Sequence, residues 1–386
     1  MWTLFPSNPL SFDINQIPSP CYLLEEEKLI ANLEVLKRVQ DEADCAIILA
    51  LKGFAMWSVF PQVKQYLPGC TASSLHELKL SAEKFNGENH IYSAAYREDE
   101  FDEIATLADH LVFNSVAQWQ KFGRTALKAG VSCGLRVNPG ISEVATDIYN
   151  PCFAGSRLGI RPEHLLQADI SGIEGLHAHA LCENMADSSV ALIDAFEEKF
   201  AAWIPELKWV NFGGGHLMTH KDYDTDKLID RINAFREKWE VKVYLEPGGA
   251  IAWRTGPLIA SVLDIVPTDG RDVAILDISA TAHMPDVLEM PYRPTITGSA
   301  EADEKAHTYR LGGTSCLAGD VIGDYSFDTP LETGSCLIFE DMIHYTMVKS
   351  TMFNGVRHPD IGIWHSDNTF ELVRRFTYED FRDRLS

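Results

Sequence analysis

Asn211-Phe212-Gly213-Gly214-Gly215-His216 is the stretch whose reading decides the fold. It follows the apolar pair Trp209-Val210 and precedes a helix-like stretch, 225–239. Three glycines closing a strand leave backbone N–H groups unshielded, in a turn able to wrap an anion. Working outward, other apolar runs also end on polar residues. Ile47-Ile48-Leu49-Ala50-Leu51 delivers Lys52, Leu176-His177-Ala178 delivers His179, and Tyr244-Leu245 delivers Glu246 ahead of Pro247-Gly248-Gly249. Each feature alone is ordinary: glycine triplets are commonly plain turns, and a lysine after a strand is commonly solvated. Their occurrence together, at successive strand ends, carries the argument.

The predicted strands are Cys45–Ala50, Gly69–Ala72, His90–Ser93, His110–Asn114, Ser132–Val137, Ile173–Ala180, Leu207–Phe212 and Val241–Glu246. Helical patterns fall between most of them. Leu29, Leu33 and Leu36 form one apolar stripe, Phe101, Ile104 and Leu107 another, and 115–129, 188–203 and 222–239 also read as helices. Eight short apolar strands alternating with helices predict an α/β fold, a (β/α)8 TIM-like barrel. A doubly wound sheet is the alternative, and the lack of a G-x-G-x-x-G after the first strand counts against it. Beyond Glu246-Pro247-Gly248-Gly249 the texture changes to β-rich runs, at 258–277, 307–318 and 335–350, with helical periodicity returning only at 377–385. We therefore expect a barrel over 21–250 and a mostly β domain over 251–386. Residues 1–20, broken by Pro6, Pro9, Pro18 and Pro20, are expected to join the second domain.

A formal net charge of −23 repels nucleic acid and suits a cationic substrate. None of the eight cysteines forms a C-x-x-C pair, so spacing gives no zinc or redox motif. No signal peptide and no run of about 20 apolar residues is present, which predicts a reduced, cytoplasmic protein with no membrane partner.

In a barrel the C-terminal strand ends converge on one mouth. Lys52, Asn114, Arg136, His179, Gly213 to Gly215 and Glu246 are thus expected around one cavity, an arrangement that reads as a pyridoxal phosphate site. Here the chain resembles the fold-type III pyridoxal phosphate decarboxylases, which include ornithine and diaminopimelate decarboxylases. The resemblance is carried by Leu-Lys-Gly-Phe (51–54), Ser-Arg-Leu-Gly-Ile (156–160), Leu-His-Ala-His (176–179), the stretch 211–216, Gly-Thr-Ser-Cys-Leu-Ala-Gly-Asp (313–320) and His-Tyr-Thr-Met (344–347). Within the family these pieces resemble the carboxynorspermidine (carboxyspermidine) decarboxylase branch. The resemblance implies an alanine racemase-like barrel, pyridoxal 5'-phosphate as cofactor, and a cationic polyamine amino acid as substrate.

It also implies roles. Lys52 matches the lysine that holds the cofactor, Glu246 the acid facing its pyridine nitrogen, and His179 the imidazole stacked on its ring, with His177 as rival. Gly213, Gly214 and Gly215 would donate to the phosphate, which Tyr345 also touches. Cys316 matches a thiol that returns a proton after decarboxylation, and Asp320 lies on the same loop. In the family that loop enters the partner's site, which implies a homodimer with shared active sites. Two departures stand out. Gly249 occupies the place of an arginine in ornithine-type enzymes, with Arg157 or His216 as candidate replacements, and Leu317 occupies the place of an acid. The second disfavours ornithine and turns attention to Asp277, Asp286 and Glu289 for binding the far ammonium. Diaminopimelate, whose far end carries a second carboxylate, would want arginines there. A racemase would need a second catalytic tyrosine that we do not place. A non-catalytic, regulatory binder of the cofactor is the rival of another class, and the retention of both Lys52 and the glycine loop opposes it.

Overall fold

The eight apolar runs of the first 250 residues form one parallel sheet that closes on itself. In a computed structural model, residues 10–144 and 147–386 are described, so Pro6 and Pro9 lie outside them. The first barrel strand is in two pieces, Ala46–Ile47 and Leu49–Ala50. Leu49–Ala50 pairs with Gly69–Ala72, followed in order by Glu88–Tyr92, His110–Phe113, Ser132–Arg136, Gly175–His177, Trp209–Asn211 and Lys242–Leu245. Lys242–Leu245 pairs back onto Ala46–Ile47, and between the two pieces the Ile48 N–H donates to the Leu245 carbonyl at 2.9 Å.

Helices follow most strands for local reasons. Ser74, Ser115 and Asp224 each cap a helix by accepting from a backbone N–H three residues on. Phe101 and Ile104 bury the inner face of Glu98–Leu107. Phe196 of Ala186–Phe200 and Phe235 of Thr225–Trp239 both pack on Phe212. After Ser132–Arg136 the chain makes a long excursion and returns through a parallel bridge between Val137 and Ile160. That return sets Arg157 and Leu158 beside the strand ends.

The described residues fall into two compact units, Ala31–Ile251 and the described part of Met1–Ile30 with Ala252–Ser386. The second is built on an eight-stranded sheet. In it Leu258–Val266 pairs with Val273–Leu276, Cys21–Glu25 and Cys336–Phe339, and the edges are completed by His307–Gly312, Val321–Phe327, Asp360–Trp364 and Phe370–Arg374. Two expectations are corrected here. Cys21–Glu25, placed in the barrel by the sequence reading, pairs with Leu258, Ile259 and Asp360–Trp364 instead. Over 335–350 only Cys336–Phe339 is strand, and Thr346–Lys349 is a short helix. No described helix is long and apolar enough to cross a membrane.

Candidate active site

A cavity of about 240 Å³ opens at the C-terminal ends of the barrel strands, lined among others by Lys52, Arg136, Arg157, His177, His179 and Glu246. Lys52 follows directly on the first strand. Its side chain is exposed toward the cavity, within a mouth crowded by protein atoms. Loss of hydration in that mouth, followed by the charge of nearby Arg136, lowers the pKa of its ammonium. Lys52 is therefore easier to deprotonate than a surface lysine.

Glu246 and the glycine turn are tied together by one side chain. Asn211 Nδ2 donates to Glu246 Oε1 at 2.7 Å, and Asn211 Oδ1 accepts from the Gly213 N–H at 2.8 Å. His177 Nε2 stands 3.4 Å from Glu246 Oε2. That separation is an electrostatic contact without hydrogen-bond geometry, so the Asn211 bond is the directional one. Burial pushes the Glu246 pKa up, but the His177 contact and the Asn211 bond outweigh it and keep the carboxylate ionised.

His179 Nδ1 accepts from the Gly214 N–H at 2.7 Å. Burial, then the charges of Lys52 and Arg136, push its pKa well below the ordinary value, so the imidazole is neutral. Arg136 donates to the His179 carbonyl at 3.1 Å, and its guanidinium lies 4.5 Å from the centre of the Tyr92 ring. Tyr92 in turn donates to Asn114 Oδ1, which also accepts from the Gly159 N–H. Asn114 thus fastens the Arg157–Gly159 segment to the mouth, and its Nδ2 donates to the Arg157 carbonyl.

The glycine turn is crowded by backbone. A Cβ on Gly214 would stand 2.3 Å from the Glu246 carbonyl oxygen, and one on Gly215 2.2 Å from that of Leu181. Gly215 also has φ of +88°. Two of the three N–H groups expected to face a phosphate, those of Gly213 and Gly214, are taken by Asn211 and His179.

His216 does not stand in for the arginine absent at Gly249. It is buried, with Nδ1 on Ser189 Oγ (2.8 Å) and Nε2 on the Phe212 carbonyl (3.3 Å). Arg157 does line the cavity. The sequence reading missed Tyr92 and the joining role of Asn211. Tyr92 had a signal, since it closes its strand; Asn211 did not, because its two bonds are visible only once strands are neighbours.

Cys316, Asp320, Asp277, Glu289 and Tyr345 lie in the sheet unit. Cys316 is exposed, and its N–H donates to Asn354 Oδ1 at 2.7 Å. Asp320 is buried and accepts from Ser279 Oγ and the Ser315 and Thr281 N–H groups, so it shapes the loop that carries Cys316. Tyr345 has φ of +48° and ψ of −55°, a strained backbone for an aromatic residue. Asp277 is engaged within its own unit. Its carboxylate accepts from Ser19 Oγ and the Ser261 N–H, which makes it a brace within the sheet unit. Asp286 and Glu289 both accept from Lys349 Nζ, so neither is a free acid awaiting an ammonium.

Comparison with known proteins gives a consistent answer. The family model described as "Pyridoxal-dependent decarboxylase, C-terminal sheet domain" matches residues 34–343. A carboxyaminopropylagmatine decarboxylase of Synechocystis is 48% identical, over 96% of each chain. A carboxynorspermidine/carboxyspermidine decarboxylase of Campylobacter jejuni is 45% identical, over 95% of this chain and 98% of that one. The crystal structure of carboxynorspermidine decarboxylase from Campylobacter jejuni complexed with norspermidine superposes with a TM-score of 0.88 at 44% identity, covering 95% of this chain and all of that one. A diaminopimelate decarboxylase of Helicobacter pylori shares the fold, with a TM-score of 0.80 at 16% identity. A lysine, a glutamate and a neutral histidine gathered at the mouth of a parallel barrel, in a chain matched over most of its length, place this protein in the pyridoxal-dependent decarboxylase family.

Proposed function

We propose that the protein removes the α-carboxylate of carboxynorspermidine or carboxyspermidine, yielding norspermidine or spermidine. The observation that carries this reading is the near full-length identity with the Campylobacter jejuni enzyme of that name. Bound at the mouth, pyridoxal phosphate supplies the electron sink that accepts the electron pair left by departing CO2.

The residues present fit that cofactor, on the chemistry of the donor set. Lys52, with its lowered pKa, offers the amine to which an aldehyde attaches. Glu246, held ionised, would keep a proton on the pyridine nitrogen. His179, neutral, presents a ring face without adding positive charge. The Gly215 turn and Arg157 would face the phosphate, and Tyr345 is the further phosphate contact that the family resemblance implies.

Cys316 is the proposed donor of the proton that replaces CO2 on the α-carbon. Its exposure, and the anchoring of its loop by Asp320, support a part played at the partner's site in a homodimer. Subunit mixing tests this. Lys52→Ala and Cys316→Ala homodimers, each inactive, should regain about a quarter of wild-type activity when exchanged, because half the sites of a mixed dimer are intact. Proven exchange without recovery removes the shared site. The eight cysteines, none of them in a disulfide, suit a reducing, cytoplasmic setting.

A second reading has its own support. The Synechocystis relative at 48% identity is named for carboxyaminopropylagmatine, whose far end is a guanidinium instead of an ammonium. Measuring CO2 release from carboxynorspermidine, carboxyspermidine, carboxyaminopropylagmatine, diaminopimelate and ornithine decides between them. Preference for either of the first two supports the proposal. Preference for the third establishes the second reading, and preference for diaminopimelate or ornithine overturns both.

A further inference from the structure

The loop that carries Cys316 is closed at its base by its own residues. The Gly313 N–H donates to the Asp320 carbonyl at 2.9 Å, and the Asp320 carboxylate accepts from the Ser315 N–H at 3.1 Å. Beyond that base the tip, Cys316 to Gly319, is exposed. The tip is tied to another segment of the sheet unit by Asn354, whose Oδ1 accepts from the Cys316 N–H at 2.7 Å.

Asn354 is a fixed post. The Gly355 N–H donates to the Met352 carbonyl and the Val356 N–H to the Phe353 carbonyl, both at 3.1 Å, and Met352 is buried. Asn354 has φ of +60° and ψ of +10°, a left-handed backbone that glycine and asparagine adopt more readily than other residues. Glycine would suit that backbone equally, but it has no acceptor to offer the Cys316 N–H.

We propose that Asn354 is a positioning residue that sets the place of Cys316 for proton transfer, an inference that rests on the role given to Cys316 above. CO2 leaves its bonding electron pair behind, and the Cys316 thiol proton forms the new C–H bond on the α-carbon. The thiolate then recovers a proton from water. Misplacing a reacting group by about 1 Å can cost on the order of a hundredfold in rate. With its N–H pinned, Cys316 retains mainly the rotation of its own thiol. Without the pin the exposed tip moves, and the proton from solvent can reach the cofactor's carbon instead. Hydrolysis then consumes one water, releases an aldehyde and leaves the substrate's nitrogen on the cofactor.

The test uses the full-length, cofactor-loaded protein with carboxynorspermidine, counting CO2 and amine product separately. Asn354→Gly keeps the backbone and removes the acceptor, whereas Asn354→Asp keeps both. Asn354→Gly should lower the ratio of amine to CO2 and reduce kcat roughly 2- to 12-fold, the equivalent of one neutral hydrogen bond, with KM little changed. Asn354→Asp should keep the wild-type ratio. Adding Asn354→Gly to Cys316→Ala should change nothing further, because Asn354 acts through the thiol. In cofactor-free protein, amide hydrogen exchange over 313–320 should quicken in Asn354→Gly and not in Asn354→Asp. A wild-type ratio in Asn354→Gly, where Cys316→Ala has lost it, overturns this proposal and leaves the role of Cys316 standing. A wild-type ratio in Cys316→Ala overturns both. The exchange measurement needs no substrate and decides even where a variant does not fold: wild-type exchange over 316–319 as fast as in an unstructured peptide overturns the anchoring.

Discussion

Asn211→Asp would change the active site by one group. The substitution keeps the side chain's size and keeps an acceptor for the Gly213 N–H. It converts the donor 2.7 Å from Glu246 Oε1 into a second acceptor. Two buried carboxyl groups at that distance cannot both be ionised, so the pair retains a proton and titrates as a unit. In its proposed role, Glu246 would then no longer hold the pyridine nitrogen's proton as a full carboxylate. A hydrogen bond to a charged group is worth about 1.5–3 kcal/mol, which corresponds to a fall in kcat of roughly 10- to 150-fold. Substrate binding does not use this bond, so KM should change little. The assay is steady-state CO2 release as a function of pH, with cofactor content checked by absorbance. The variant's kcat should recover partly at higher pH, as the shared proton leaves. A kcat within about twofold of wild type across the profile would remove Asn211 from the positioning of Glu246.

Three further outcomes are expected. Lys52→Ala should lose both activity and the visible band of the lysine-bound cofactor, and a variant that keeps the band would move attachment elsewhere. Gly214→Ala forces a Cβ to within 2.3 Å of the Glu246 carbonyl oxygen, so the turn must shift; we expect a lower urea midpoint and much weaker cofactor binding, read by fluorescence titration. Burial pulls the pKa of His216 from 6.5 down to about 4. The unfolded chain therefore takes up the proton first, and stability should fall as pH drops from 6.5 toward 4, by up to about 3 kcal/mol from this residue alone. A urea midpoint that stays flat over that window contradicts a neutral, buried His216.

The barrel was legible because each strand is a short apolar run punctuated by a polar end, a pattern set by burial on both faces. The strand Cys21–Glu25 went unread, and the boundary at residue 21 left it in the barrel; its pairing with the second sheet shows only once its neighbours are known. In the sheet unit Asp360–Trp364 begins with an acid and contains Gly362, so its strand character comes from pairing and not from composition. Within the site, Lys52, His179 and Glu246 were readable as strand ends. For the acids at 277–289 the partners Ser19, Ser261 and Lys349 were not legible, because each lies 16 or more residues away in sequence. His216 misled for a related reason: its place beside the glycines suggested the cavity, and its ring turns to Ser189 instead.

The crowding around Gly213–Gly215 bears on any attempt to re-engineer this enzyme for other amines. The Glu246 and Leu181 carbonyls wall Gly214 and Gly215 and the His179 side chain walls Gly213, so a larger residue there displaces backbone or the histidine before it reshapes the chamber. Library positions belong instead where a side chain already faces the space, at Ser73, Ala94, Arg157 and Leu158. Two of these, Arg157 and Leu158, belong to the excursion that Asn114 fastens down, which gives a designer both a variable surface and the clamp to leave alone.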